Sequence, residues 1–166
     1  MAKSVLTVIG ENIHTTRVLR TNGKRVIRNE NGDEFVVYKN IDDITSLMPI
    51  PDFFKDTQIY KQGSVKHFMI AVTLGMSDLT EDRIHGENYI SAEIKRQEDK
   101  GSNFLDLNVD EISYKIDIQK KAMAWLINHY SSVAKLPPCI DSSSVEIIQH
   151  GLEHSRSVGS PQGPPM

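Results

Sequence analysis

The chain has 166 residues, 39% of them hydrophobic and 25% charged, a composition that is typical of one globular domain with its own core. Its 19 Lys and Arg residues against 22 Asp and Glu residues give a net charge of -3, which argues against a nucleic acid partner. A single cysteine, Cys139, excludes an internal disulfide, and without a signal peptide or a membrane span in the sequence we expect a cytoplasmic protein.

The first predicted element is a buried strand over residues 4–10, SVLTVIG, which is rich in β-branched residues and ends at a glycine. Three polar residues follow this strand: Glu11, Asn12 and His14. Burying a carboxylate without a partner costs roughly several kcal/mol. The position of Glu11 at the end of a buried strand therefore favours a functional role for this residue.

Residues 17–39 contain two Asn-Gly pairs between short apolar runs. Asn-Gly supplies the positive φ angles of tight hairpin turns, so this segment predicts a small antiparallel meander. From residue 40 to 83 we expect irregular helical structure, interrupted by Pro49 and Pro51, with an apolar stripe at Val65, Phe68, Met69 and Val72. Residues 15–83 are interpreted together as an insertion or cap.

From residue 88 onward the pattern alternates between helices and strands. A helix over 88–100 ends at Gly101, a strand over 104–109 follows, and a second helix is predicted over 116–133. The inward face of that second helix is predicted to contain Ile118, Ala122, Trp125, Leu126 and His129. A strand over 137–142 and a helix with a serine N-cap and inward Ile147, Ile148 and Leu152 complete the series. This alternation predicts parallel strands with crossover helices, in a barrel or a doubly wound sheet.

Residues 155–166 are predicted to form a loop, because they are rich in Gly and Pro and have no apolar periodicity. A chain that stops in a loop directly after a strand-helix unit suggests part of a longer protein, so we expect a truncation at this point.

Polar residues mark the ends of all three predicted parallel strands. Glu11, Asn12 and His14 end the first strand, the second has Asp106, Asn108 and Asp110, and the third ends in Asp141, Ser142 and Ser143. Ligands of parallel α/β folds bind at this edge, where loops and helix N-termini meet. Carboxylates and amides without a basic residue suit a neutral heterocycle with several N–H donors.

Structural roles remain open for the same residues. Asp106 can brace a neighbouring strand, Asp110 and Glu111 can belong to a solvated loop or cap the next helix, and Asp141 with its serines can be a helix N-cap. His150 and His154 have helical metal-ligand spacing but no third ligand nearby, so the sequence predicts no metal site.

Three segments resemble the ordered motifs of the pterin-binding family. VIGENIHTT resembles a first-strand GE-x-x-N motif, GSNFLDLNVDE a second-strand D-x-N-x-DEG motif, and PPCIDSSSVEIIQHGLE a third-strand DSS motif. The family includes the folate domain of cobalamin-dependent methionine synthase, methyltetrahydrofolate corrinoid methyltransferases and, more distantly, dihydropteroate synthase. The resemblance covers residues 5–14 and 87–153, and it is nearer to the methyltransferases.

The resemblance implies the N-terminal part of a (β/α)8 barrel, with about three parallel strands and the pterin ring held over the strand ends. It implies that the pterin contacts Glu11, Asn12, Asn108, Asp110, Asp141 and Ser142. His14 stands where the family usually has asparagine. The family's further pterin contacts lie on strands four and beyond, which this chain lacks.

For the complete protein the resemblance implies methyl transfer from methyltetrahydrofolate to a corrinoid. The cobalamin belongs to a partner protein or module and is not bound tightly by this chain, and a homodimer of the full-length protein is one expected assembly. This part alone is expected to be inactive. Two alternatives stay open: a condensing enzyme like dihydropteroate synthase, and a non-catalytic pterin-binding or interaction protein whose important surface is formed by residues 15–83.

Overall fold

The structure is a computed structural model that describes residues 6–159, so the predictions for residues 4–5 and 160–166 lie outside the described residues. Within that range the chain forms eight strands and six α-helices. In chain order they are β1 (Ile9–His14), β2 (Leu19–Arg20), β3 (Val26–Arg28), β4 (Glu34–Lys39), β5 (Thr45–Pro49), α1 (Asp52–Lys55), α2 (Gln58–Lys61), β6 (Ser64–Val65), α3 (His67–Gly75), α4 (Thr80–Asp99), β7 (Phe104–Asn108), α5 (Ile116–Val133), β8 (Pro138–Asp141) and α6 (Val145–Val158). A 3-10 helix, Asp110–Ile112, follows β7. In residues 6–159, the structure contains no helix that is both long enough and apolar enough to span a bilayer.

A three-stranded parallel sheet has the order β1-β7-β8. The alternation of helices and strands predicted from residue 88 is confirmed, although α4 already begins at Thr80. The helix predicted over residues 116–133 has those bounds in the structure. Gly101 follows α4 with a φ of +84°, a conformation that costs a glycine little. The α/β class is therefore confirmed.

Helices α4, α5 and α6 cover one face of the parallel sheet. The buried side chains that the sheet contributes to this face include Leu105, Leu107 and Ile140. A Cβ on Gly151 of α6 would lie 2.7 Å from Cγ2 of Ile140, and a Cβ on Gly10 would lie 2.2 Å from Oε1 of Gln97 on α4. Glycine at these two positions lets the helices approach the strands closely. Because side chains alternate along a strand, Asp106 and Asn108 project from the opposite face.

The inward face of α5 differs from the prediction. The helix buries Ala122, Met123, Leu126, Ile127 and Tyr130. Ile118 is exposed, while Trp125 and His129 lie at the margin of this face and stack on each other with ring centroids 5.7 Å apart. The predicted stripe was rotated because periodicity alone does not tell which of two adjacent apolar rows meets the sheet. On α6, Ile147 is fully buried, Ile148 and Leu152 are half-buried, and Ser144 at the N-cap makes no side-chain cap.

The antiparallel meander consists of β3, β4 and β5, so the prediction of helical structure from residue 40 was wrong for residues 45–49. Gly32 has a φ of +89° in the turn between β3 and β4, as its Asn-Gly pair predicts. The other Asn-Gly pair does not join two paired strands, because β2 pairs with the distant β6. Val65 lies in β6, and the apolar stripe of α3 therefore begins at Phe68.

Two further predictions at the ends of the chain were wrong. The first strand begins at Ile9, and Val8 and Ile9 are each 41% exposed, so residues 6–8 do not form the predicted buried strand. Helix α6 continues to Val158, so residues 155–158 are helical and not a loop. In both places, the contacts that a segment makes with neighbouring elements outweigh its local composition.

A polar network joins the meander to α3 and α4. It consists of Arg25, His67 and Tyr89, which we call the meander junction. Arg25 Nη2 donates to the Tyr89 hydroxyl at 2.7 Å, and that hydroxyl lies 2.9 Å from His67 Nδ1. Burial, followed by the charges of Arg25 and Arg17, lowers the pKa of His67 to about 3, so its ring is neutral and can accept from Tyr89. Burial also raises the pKa of Tyr89 to about 12.

Candidate functional site

The polar strand ends come together at one edge of the parallel sheet. We call this group the strand-end cluster; its members are His14, Asp106, Asn108, Asp110, Asp141 and Ser142. In the sheet, His14 is opposite Asn108, and Asn108 is opposite Asp141. The parallel direction of the three strands brings together residues that are up to 128 positions apart in the sequence. The structure therefore juxtaposes most of the residues that the sequence predicted for a site.

Asn108 is the central side chain of the strand-end cluster and is only 3% exposed. Its Nδ2 donates to Asp141 Oδ2 at 2.8 Å, and its Oδ1 accepts from the backbone N–H of Asp110 at 3.0 Å. The hydroxyl of Thr15 donates to the same oxygen at 3.4 Å and accepts from the Glu111 N–H at 3.1 Å. These bonds fix the amide so that its N–H faces β8.

Asp110 braces the loop after β8. One of its oxygens accepts from the Ser142 hydroxyl, and the other accepts from the Ser143 N–H at 2.7 Å. Burial alone raises the pKa of Asp110, but these hydrogen bonds, which favour the charged form, outweigh burial and lower it. Asp110 and Ser142 already have protein partners, so their arrangement includes the structural role that the sequence left open.

Asp106 is the most deeply placed carboxylate of the cluster, with 6% exposure. Burial raises its pKa to about 6, and the negative charges of Asp141 and Glu11 add to this shift. The thiol of Cys139, opposite Asp106 in the sheet, offers only weak hydrogen bonding. The pKa of Cys139 rises to about 11 through burial and the same carboxylates, so its thiol is protonated and unreactive at neutral pH.

His14 completes the cluster on the side of β1. Its Nε2 lies 3.4 Å from Asp141 Oδ2, and its Nδ1 lies 2.7 Å from the Thr16 hydroxyl. One donor atom each from His14, Asp106 and Asp141 all lie within 4.8 Å of one another. No spacing in the sequence signals this trio, because its members come from three strands.

Glu11 and Asn12 occupy a β-bulge. Gly10 pairs with Leu105 and Ile13 with Leu107, so Glu11 and Asn12 together oppose the single residue Asp106. The Glu11 side chain is 69% exposed and lies 3.6 Å from Arg17 Nη2. The expectation that Glu11 ends a buried strand was therefore wrong, and its exposed carboxylate pays no desolvation cost that would point to a functional role. Asn12 is half-buried.

Arg17 is a functional candidate that the strand-end pattern missed. Its Nε donates to the Glu11 backbone carbonyl at 3.0 Å, which holds a cation beside the carboxylates. The sequence pattern contained no basic residue because Arg17 comes after β1, where the chain turns back. Asp106 and His14 were noted in the sequence but not included among the binding residues.

A groove lies elsewhere, between the meander and α4, with a volume of about 730 Å³. Its walls include Tyr38, Tyr89, Lys39 and Lys95. In this wall, Lys95 pairs with the carboxylate of Asp99 at 2.7 Å, and Lys39 donates to the backbone carbonyl of Asp43 at 3.0 Å. The groove contains none of the predicted site residues, so size alone does not make it the better candidate.

No protein-family model matches the chain, and no solved structure matches it. The geometry of the strand-end cluster and the resemblance of its three motifs are therefore the observations that bear on function.

Proposed function

We propose that this chain binds a reduced pterin, methyltetrahydrofolate, at the strand-end cluster, as part of a protein of folate-dependent one-carbon metabolism. The observation that carries the proposal is the meeting of Asn108 and Asp141 at the C-terminal ends of adjacent parallel strands, linked at 2.8 Å. These are two of the residues that the motif resemblance assigns to the pterin. Parallel α/β folds bind ligands at this edge of the sheet.

The hydrogen-bonding capacity of the cluster suits a pterin ring edge. Asp141 Oδ2 is engaged by Asn108 and His14, whereas its Oδ1 accepts no hydrogen bond from residues 6–159. Its side chain is 47% exposed, so a ligand can reach it. An aminopyrimidine edge carries adjacent N–H donors, which a carboxylate accepts with charge-assisted bonds. Asp110 and Ser142 would support the site by holding the loop after β8.

The order of the sheet also supports the proposal. In a (β/α)8 barrel each strand lies beside the next one, all strands are parallel, and helices cover the outside. The order β1-β7-β8, with α4, α5 and α6 on one face, has these features if the segment between β1 and α4 is an insertion. We propose that the chain is the N-terminal part of such a barrel, with further strands supplied by a longer protein.

In the complete protein, the proposed reaction moves the N5 methyl group of methyltetrahydrofolate to a corrinoid on a partner protein or module. The residues of this chain would bind and orient the pterin, while the corrinoid supplies the methyl-accepting chemistry. This chain alone is expected to bind the substrate without turning it over.

The test is a calorimetric titration of the chain with methyltetrahydrofolate. We expect Asp141→Asn to weaken binding by about tenfold or more, because a charge-assisted hydrogen bond contributes roughly 1.5–3 kcal/mol. Asp78→Asn, at an exposed aspartate outside the cluster, is the matched control and should bind like the unchanged chain. Equal affinities for the Asp141 variant and the unchanged chain would remove the assignment of Asp141 to the pterin.

A further inference from the structure

We propose that His14, Asp106 and Asp141 form a binding site for a divalent transition-metal ion. One nitrogen and two oxygen donors from three strands lie within 4.8 Å of one another. Imidazole and carboxylate are ligands that Zn²⁺, Fe²⁺ and Mn²⁺ accept, whereas a site for Mg²⁺ or Ca²⁺ is normally built from oxygen donors alone. The inference goes beyond pterin binding and does not depend on it.

The distances fit a small metal ion. His14 Nε2 lies 3.4 Å from Asp141 Oδ2. Two ligands of a tetrahedral zinc ion with bonds of about 2.0–2.1 Å are themselves about 3.3 Å apart. The pair is thus already spaced as two ligands, and Asp106, whose donor atom lies within 4.8 Å of theirs, would need to move closer to complete the trio.

The second observation is the condition of Asp106. Asp106 is only 6% exposed, yet no N–H or O–H group of residues 6–159 donates a hydrogen bond to its carboxylate. Its neighbours are the weak thiol donor of Cys139, two further negative charges, Asp141 and Glu11, and the cation Arg17, whose effect is the smallest of these. A buried carboxylate in this condition is costly to the fold. A dication between Asp106 and Asp141 would remove the repulsion between the two carboxylates and give Asp106 a direct positive partner.

The surrounding contacts would hold the other two ligands in place. Asn108 donates to Asp141 Oδ2 at 2.8 Å and fixes that carboxylate. The Thr16 hydroxyl and the Thr16 backbone N–H lie 2.7 Å and 3.3 Å from His14 Nδ1, and together they hold the imidazole so that Nε2 faces Asp141. Binding a metal through Nε2 would place the ring proton on Nδ1, where the Thr16 hydroxyl can accept a hydrogen bond from it, as the partner of a metal-binding histidine usually does. Three protein ligands also leave a coordination position for water or a substrate atom, as catalytic zinc sites do.

The experiment is a calorimetric titration of the chain with Zn²⁺ alone, with no pterin present, so that its result is separate from that of the pterin titration. We expect one Zn²⁺ per chain. Both His14→Gln and Asp106→Asn should reduce the affinity for Zn²⁺ by about tenfold or more, because removing a metal ligand weakens binding more than removing a hydrogen-bond partner of a ligand does. Zn²⁺ should raise the melting temperature of the unchanged chain and of neither variant.

The control removes the other histidine pair. His150 and His154 on α6 have ring centroids 6.2 Å apart and could hold surface zinc. The double variant with His150→Gln and His154→Gln should keep the tight binding event. If this double variant loses the event, or if Asp106→Asn keeps it, Zn²⁺ binds elsewhere and the proposed site is wrong. Circular dichroism of each variant without metal establishes that it is folded, and the visible spectrum of bound Co²⁺ reports ligand loss directly.

Discussion

The strand-end cluster and the meander junction both place ionisable groups in the interior, but they differ in whether these groups have hydrogen-bond partners. At the meander junction, Arg25, Tyr89 and His67 form an unbroken chain of hydrogen bonds, and His67 is kept neutral. At the strand-end cluster, Asp106 lies beside two other carboxylates without an N–H or O–H donor from residues 6–159. The contrast favours a stabilising role for the first region and supports the ligand site that we propose at the second.

The largest expected effect is the acid sensitivity of the meander junction. His67 has a folded-state pKa of about 3, below the ordinary value of about 6.5, so its contribution to stability is complete above pH 6.5 and is lost as the pH falls towards 3. The loss is at most about 1.4 kcal/mol per pH unit. His67→Asn keeps an acceptor near Tyr89 and removes the titration. Urea unfolding at several pH values should therefore show a shallower decline for the variant, and parallel curves would contradict the neutral, buried histidine.

A smaller effect is expected for Tyr89→Phe at the same junction. The change removes the hydroxyl that donates to His67 Nδ1, so this buried nitrogen is left without a hydrogen-bond donor. Such a loss costs about 1–2 kcal/mol of unfolding free energy. Tyr38→Phe is the matched control, because Tyr38 packs edge-to-face against Tyr89 and its hydroxyl takes no part in the network. An equal loss in both variants would mean that packing, and not the network, is responsible.

The smallest expected effect has the opposite sign and concerns the strand-end cluster. Asp106→Asn should stabilise the chain at pH 7 in the absence of metal by about 1 kcal/mol, because it removes a buried charge that lies beside other carboxylates. Asp110→Asn is the contrasting variant: Asp110 already accepts from Ser142 and Ser143, so the same substitution should destabilise the chain. Chemical unfolding at neutral pH measures both changes. If Asp106→Asn destabilises the chain instead, the strand-end cluster does not differ from the meander junction in how its buried charge is compensated.

Sequence reasoning was most successful where local pattern and tertiary packing agree. The bounds of α5, the strands β7 and β8, and Gly101 after α4 were all predicted, because each has a strong local signal that the fold also satisfies. It failed at β5, where prolines suggested interrupted helices. In the structure the segment pairs with β4, with Pro49 at the end of an outer strand of the meander.

The candidate site was predicted in part for a similar reason. Asn108 and Asp141 follow alternation along strands, so their meeting at the same edge could be foreseen from parallel topology. Glu11 could not be judged from the sequence, because the bulge in β1 alters the alternation there and leaves the carboxylate exposed beside Arg17.

The sequence by itself determined the alternating helices and strands from residue 88 onward, and with them the polar residues at the strand ends. Periodicity and local propensity carry that information, since each depends on residues only a few positions apart. Only the tertiary structure decided that His14, Asp106 and Asp141 lie within 4.8 Å of one another, and that Asp106 lacks the donors that Asp110 has. Strand register and desolvation set these properties, and both arise from contacts between segments far apart in the chain.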